Sequence, residues 1–156
     1  MTEIVDKQAY TIDLKYRSDA TPEAETDRNR ETVLAAIDRL VDGDKEPFWA
    51  MFDEDVTFHE AQCLPYGGSH RGKTATREAH GTVYEYFDKI HIELEQILAA
   101  GDLVIAYAQM SYRVRKNGRT GRFPLAELYR FRDGKVIEWR VHYFDASTVA
   151  EALNAD

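Results

Sequence analysis

From Ile90 to Phe144 the chain keeps a hydrophobic period of two almost without interruption. IHIELEQIL, DLVIAYAQMSYRV, GRFPLAELYRFR and KVIEWRVHYF are joined by turn signals at Ala100-Gly101, Asn117-Gly118 and Asp133-Gly134. Asn-Gly and Asp-Gly tolerate the positive φ that a tight hairpin demands. Alternation sends successive side chains to opposite faces, so the segment predicts four antiparallel strands with one apolar face. Such a meander needs helices from elsewhere in the chain to cover that face.

The first half supplies them. Val33, Leu34, Ile37, Leu40 and Val41 fall on one helical face, and Gly43 ends the run. Thr21 is placed to cap this helix, Pro22 suits its first position, and acids fill its first turn. DKEPFWAMF predicts a short second helix from Asp44, and DVTFHEA (55–61) a strand. The loop AQCLPYGGSHRG then leads into a helix from about Lys73 to Phe87, weakened by Gly81. Residues 146–155 predict a short terminal helix with Asp145 as its cap. YTIDLKY (10–16) alternates like a strand ahead of the main pattern. Residues 1–20 are therefore expected to be an extension and 21–156 a single α+β domain, with helices on one side of a curved sheet.

Composition excludes several classes. The net charge of −8 argues against a broad electrostatic footprint for nucleic acid or anionic lipid. Cys63 is the one cysteine, so neither an internal disulfide nor a Cys/His zinc site is expected. The N-terminus has no basic start followed by an apolar run, and no apolar stretch approaches the ~20 residues of a membrane span. A soluble, cytoplasmic protein is expected.

Gly67 to Thr74 reads GGSHRGKT and satisfies G-x-x-x-x-G-K-[ST], the phosphate loop of nucleotide-binding proteins. Its context is wrong. A true phosphate loop joins a buried parallel strand directly to a helix, whereas Leu64-Pro65-Tyr66 intervene here and the chain lacks βαβ alternation. Gly67, Gly68 and Gly72 read as turn residues and Lys73 as the first turn of a helix. His70 and Arg71 are this loop's candidates for touching a ligand.

Strand parity singles out two acids. Glu127 shares a face with Phe123, Leu125, Tyr129 and Phe131, while Arg122, Arg130 and Arg132 lie opposite. Glu60 shares a face with Val56 and Phe58, with Thr57 and His59 opposite. Ile137, Trp139, Val141 and Tyr143 form the apolar side of the last strand. An acid among apolar neighbours is costly to bury unless it is used or paired. One reading is a pocket lined by Phe58, Trp139, Val141 and Tyr143, with Glu60 and Glu127 as its polar groups and one ionised as base, the other protonated as donor. The other is that each glutamate ends a strand or pairs with an arginine. His80, in helical spacing with Ala79, Val83 and Phe87, points either into the cavity or into packing; His59 and His142 fall on polar faces. No metal constellation is present in the sequence.

AIDRLVDGDKEPFWAMFDEDVTFHEA, PYGGSHRG before a helix, and LAELYRFRDGKVIEW followed by HYFDA come in the order and spacing of a known group. Over about residues 28 to 146 the chain resembles the SnoaL-like, ketosteroid isomerase-like proteins of the nuclear transport factor 2-like superfamily. The resemblance implies a cone-shaped α+β barrel in which about three helices and a curved sheet enclose one apolar pocket, often as a homodimer. It implies no cofactor. It places Glu60 where the isomerases keep a proton-shuttling acid, and Glu127 where they keep a protonated acid that donates to the substrate oxyanion.

The isomerases' helix tyrosine falls at Ala36, for which Tyr84, Tyr107 or Tyr143 are candidate substitutes. The Asp-Arg-Asp set of the similar limonene epoxide hydrolases falls at Val141, Gln109 and Tyr107, against that chemistry. The polyketide cyclases of the group remain possible relatives in chemistry. The expected function is acid/base catalysis on a small apolar carbonyl compound, with a non-catalytic binding or dimerisation module as the alternative.

Overall fold

A computed structural model describes residues 22–156; the strand expected at 10–16, the extension 1–20 and the Thr21 cap lie outside the described residues. The elements run α1 (Glu23–Val41), α2 (Glu46–Ala50), β1 (Phe52–Glu60), β2 (Gly68–Arg71), α3 (Lys73–Tyr86), β3 (Phe87–Ala100), β4 (Leu103–Val114), β5 (Thr120–Arg132), β6 (Lys135–Tyr143) and α4 (Ala146–Asn154). Six strands form one sheet in the order β2-β1-β6-β5-β4-β3. The predicted meander β3 to β6 is antiparallel throughout. β1 joins it in parallel with β6, with Phe58 opposite Trp139.

Helices α1, α2 and α3 cover the inner face. Val33 and Ala36 of α1, Phe48 and Trp49 of α2, and Ala79 and Val83 of α3 are buried against Val56, Phe58, Tyr129 and Trp139 of the sheet. The aromatic centre is close-knit: Trp139 lies 4.4 Å from Phe58 and 5.3 Å from Phe52 between ring centroids, and stacks on Tyr129. Burial of such large rings is the dominant favourable term, about 25 cal/mol per Å² removed from water. Asp145 caps α4 as expected, accepting from the Thr148 backbone N–H at 3.0 Å.

Four expectations are corrected. α1 begins at Glu23, so Pro22 occupies the capping position rather than the first helical one. His70 and Arg71 lie not in a loop but on β2, which pairs antiparallel with β1. Gly67 makes that return possible, because a Cβ there would stand 2.0 Å from the Ala61 carbonyl oxygen. α3 stops at Tyr86 and β3 starts at once, three residues before the expected strand. In β6 the core residue is Val136, wholly buried, and not Ile137. Arg130 pairs with Glu138 while Phe131 pairs with Val136, so Ile137 is left over in a bulge that reverses the parity.

Candidate functional site

The helices do not close fully on the sheet. Between them lies a cavity of about 1050 Å³, walled by Leu34, Ile37 and Leu40 of α1, Phe48 and Trp49 of α2, His80 and Tyr84 of α3, and Ala106 and Ala108 of β4. Glu127, Tyr129 and Trp139 form its floor. Asp38, Lys45 and Arg77 stand at its rim, the last over the Trp49 ring at 5.2 Å. The space suits a ligand of small-molecule size with a mostly apolar body.

Glu127 is the floor's polar group. Tyr129, two residues along and therefore on the same face, donates its hydroxyl to Glu127 Oε2. Trp139 Nε1 donates to the same oxygen at 3.2 Å. Removal from bulk water raises the Glu127 pKa, while the tyrosine and indole donors hold it back by favouring the ionised form. Both donors occupy Oε2, so the proton of a neutral Glu127 resides on Oε1.

Glu60 lies two strands away. Glu127 is directly opposite Val141, and the β1/β6 register carries Val141 to the side of Glu60. The two acids thus lie in one row across the sheet with Val141 between, about 10 Å apart at two strand spacings. Glu60 is only 9% exposed. Burial, and then the neighbouring Glu127 charge, push its pKa up to about 8, against smaller opposite effects of the Ala61 backbone and the Tyr143 hydroxyl.

His80 sits in an aromatic box, 5.3 Å from Trp139, 5.4 Å from Tyr84 and 5.7 Å from Trp49. Burial, and then the nearby Lys45 charge, lower its pKa to about 4, so it is neutral at physiological pH.

The structure therefore brings Glu127, Trp139, His80 and Tyr84 together at the cavity, with Tyr84 half-exposed at its mouth. Phe58, Glu60, Val141, Tyr143 and His70 do not line it. Phe58 is wholly buried behind Trp139, and Tyr143 hydrogen-bonds the Tyr66 hydroxyl at 3.1 Å. His70 faces inward against Phe58, with ring centroids 6.0 Å apart. Tyr107 is the clear correction: Val104, Ala106, Ala108 and Met110 face the core, which sends Tyr107 to the other side of the sheet.

Sequence reasoning passed over Tyr129 as the partner of Glu127, although their i, i+2 parity already put them on one face. It also passed over Trp49, whose helix was predicted but whose contact with His80 was not legible. A shallower concavity of about 770 Å³ lies over β3 to β5 and holds none of the expected site residues. Its Arg113 and Arg122 are already paired with Asp88 and Glu93. Among the described residues no His, Cys, Asp and Glu side chains cluster to hold a metal, and no helix is long and apolar enough to cross a membrane.

A curved, largely antiparallel sheet with helices closing over one cavity is the nuclear transport factor 2-like arrangement. The chain belongs to the SnoaL-like domain family, whose model matches residues 33–139. It is similar to a nuclear transport factor 2-like protein of unknown function from Burkholderia pseudomallei, at 18% identity and TM-score 0.72, covering 82% of this chain and 98% of that one. It is similar to TerC, co-crystallised with polyporic acid, at 19% identity and TM-score 0.70, covering 82% and 99%. A protein from Jannaschia named for SnoaL-like polyketide cyclases matches at 19% identity and TM-score 0.67, covering 91% and 99%. At these identities the likeness establishes the fold. No curated protein matches the sequence significantly.

Proposed function

We propose that this protein is a cofactor-independent acid/base enzyme, of isomerase, cyclase or dehydratase type, acting on a small apolar carbonyl compound. The observation that carries the reading is Glu127: a carboxyl on the floor of an apolar cavity, one oxygen tied to Tyr129 and Trp139, its ionisation disfavoured. A neutral Glu127 donates from Oε1 to the substrate carbonyl, and that bond strengthens as charge develops on the oxygen. Glu60 is the base. Its carboxylate takes the proton α to the carbonyl, and the electron pair moves onto the oxygen to give an enolate. Return of the proton to another carbon gives isomerisation, attack on a second carbonyl gives cyclisation, and loss of a β-hydroxide gives dehydration. The likeness in fold to a protein named for polyketide cyclases and to a protein crystallised with polyporic acid is consistent with a carbonyl-rich ligand.

The test is hydrogen exchange. Small cyclic ketones incubated with the protein in D₂O are expected to take up α-deuterium faster than in buffer, by NMR. General-base catalysis contributes about 10² to 10⁴ in rate, so Glu60→Gln should lose that much. A few-fold loss would remove Glu60 from the role of base.

A second reading, a non-catalytic binding or dimerisation module, is favoured by Ala36, which is buried where the isomerases carry a tyrosine. Leu98 of β3, exposed on the outer face of the sheet, supports a homodimer under either reading, checked by sedimentation. Ketones that bind in the cavity without any exchange would select this second reading.

A further inference from the structure

Glu60 Oε2 and His70 Nε2 are both buried, and neither has a hydrogen-bond partner among the described residues. Buried polar atoms are almost always paired, so two orphans on neighbouring strands call for a common explanation. They lie close. Phe58 is opposite His70 and Glu60 is opposite Gly68, which makes Glu60 and His70 diagonal neighbours on the inner face. Glycine at position 68 adds no side chain beside either of them. The ring of Phe58 lies against both His70 and Trp139, so it partitions this spot from the main cavity.

We propose that Glu60 Oε2 and His70 Nε2 together hold one hydroxyl group of the ligand, making β1 and β2 a second polar subsite beyond the Phe58 partition. The chemistry selects a hydroxyl. An imidazole nitrogen and a carboxyl oxygen can offer one donor and one acceptor between them, and a hydroxyl both donates and accepts. The ligand class narrows accordingly to an apolar body with an alcohol, phenol or enol oxygen on the Glu60 side, close to the carbon that loses its proton. This rests on the reading that the cavity takes a small apolar compound. His70 is then a binding residue of that subsite, reached by displacing Phe58.

Binding of 2-naphthol, 2-methoxynaphthalene and naphthalene, followed by tryptophan fluorescence, tests the assignment. Wild type is expected to prefer 2-naphthol about tenfold over the other two, the scale of one well-made pair of hydrogen bonds. His70→Leu and Glu60→Leu should each cut that preference to within about threefold while leaving naphthalene affinity in place. Glu127→Leu should keep it. A preference lost only in Glu127→Leu overturns the subsite and leaves the proposed function standing, because the hydroxyl is then held on the cavity floor. A preference absent from wild type, or unchanged in all three variants, also overturns it.

A crystal structure of wild type with 2-naphthol gives a readout that does not depend on variants folding. It should place the naphthol oxygen within hydrogen-bond reach of both atoms; a water bridging them while naphthol binds elsewhere overturns the subsite. Failure of α-deuterium exchange, with the preference behaving as expected, would remove the chemistry and keep the subsite.

Discussion

Replacing Glu60 by glutamine should make the protein more stable, and increasingly so as pH rises. The carboxyl ionises near 4.5 in the unfolded chain and near 8 in the fold. The folded state therefore holds the proton more tightly. Between those two values the unfolded chain releases the proton while the folded one keeps it, so stability is lost as pH rises. At ~1.4 kcal/mol per pK unit, the full cost is about 5 kcal/mol, reached above about pH 8. That is a large share of the 5–15 kcal/mol that holds a typical domain together. Glutamine keeps the shape and cannot ionise. Urea unfolding of both proteins at about pH 5.5 and about pH 8 isolates the effect, since other titrating groups largely cancel in the difference. The advantage of Glu60→Gln should widen by about 3 kcal/mol between the two conditions. If the two stability profiles run parallel within ~0.5 kcal/mol, Glu60 has no raised pKa and the argument for a buried base fails.

Other perturbations separate the roles of nearby residues. Gly67→Ala should destabilise by about 3 kcal/mol or prevent folding, because the added Cβ meets the Ala61 carbonyl oxygen at 2.0 Å and backbone cannot easily give way. Gly81→Ala, in a helix and with nothing within 4 Å, should instead stabilise by about 1 kcal/mol, read as a higher Tm. For His80 the folded pKa of about 4 lies below the ordinary 6.5, so acid destabilises: stability falls as pH drops through that window, and His80→Leu should flatten the fall in thermal melts. Asp145→Ala should cost about 1 kcal/mol and speed amide exchange at the start of α4, where Asp145 caps the Thr148 N–H.

Much of the architecture was legible because it depends on local pattern. The period-two run and its glycine turns define β4, β5 and β6 almost to the residue, and parity alone puts Glu60 and Glu127 on the inward face. Parity failed where pairing is irregular. At Ile137 one extra residue in a bulge takes its own side chain out of the core and puts Val136 there instead, and nothing in KVIEW announces it. The four strands of the meander alternate alike in sequence, yet β3 is mostly exposed, and of the four it alone lies at an edge of the sheet. GGSHRGKT is the sharpest case. Its local spelling matches a phosphate loop, but residues 68–71 are a strand hydrogen-bonded to β1, and Lys73 meets Glu54 at 3.5 Å.

The sequence by itself determined the helices, the strands other than β2, the hairpin turns and the face of each residue where pairing is regular, because these follow from backbone geometry and the spacing of apolar side chains. Only the tertiary structure decided which of the inward residues share a space. Trp139, Tyr129 and Glu127 come together at one carboxyl oxygen through the register of β5 against β6, and His80 reaches them from a helix some 50 residues earlier. Glu60 and His70 are neighbours because β2 folds back on β1. Such meetings depend on strand order and register, which long-range packing sets and local pattern does not encode.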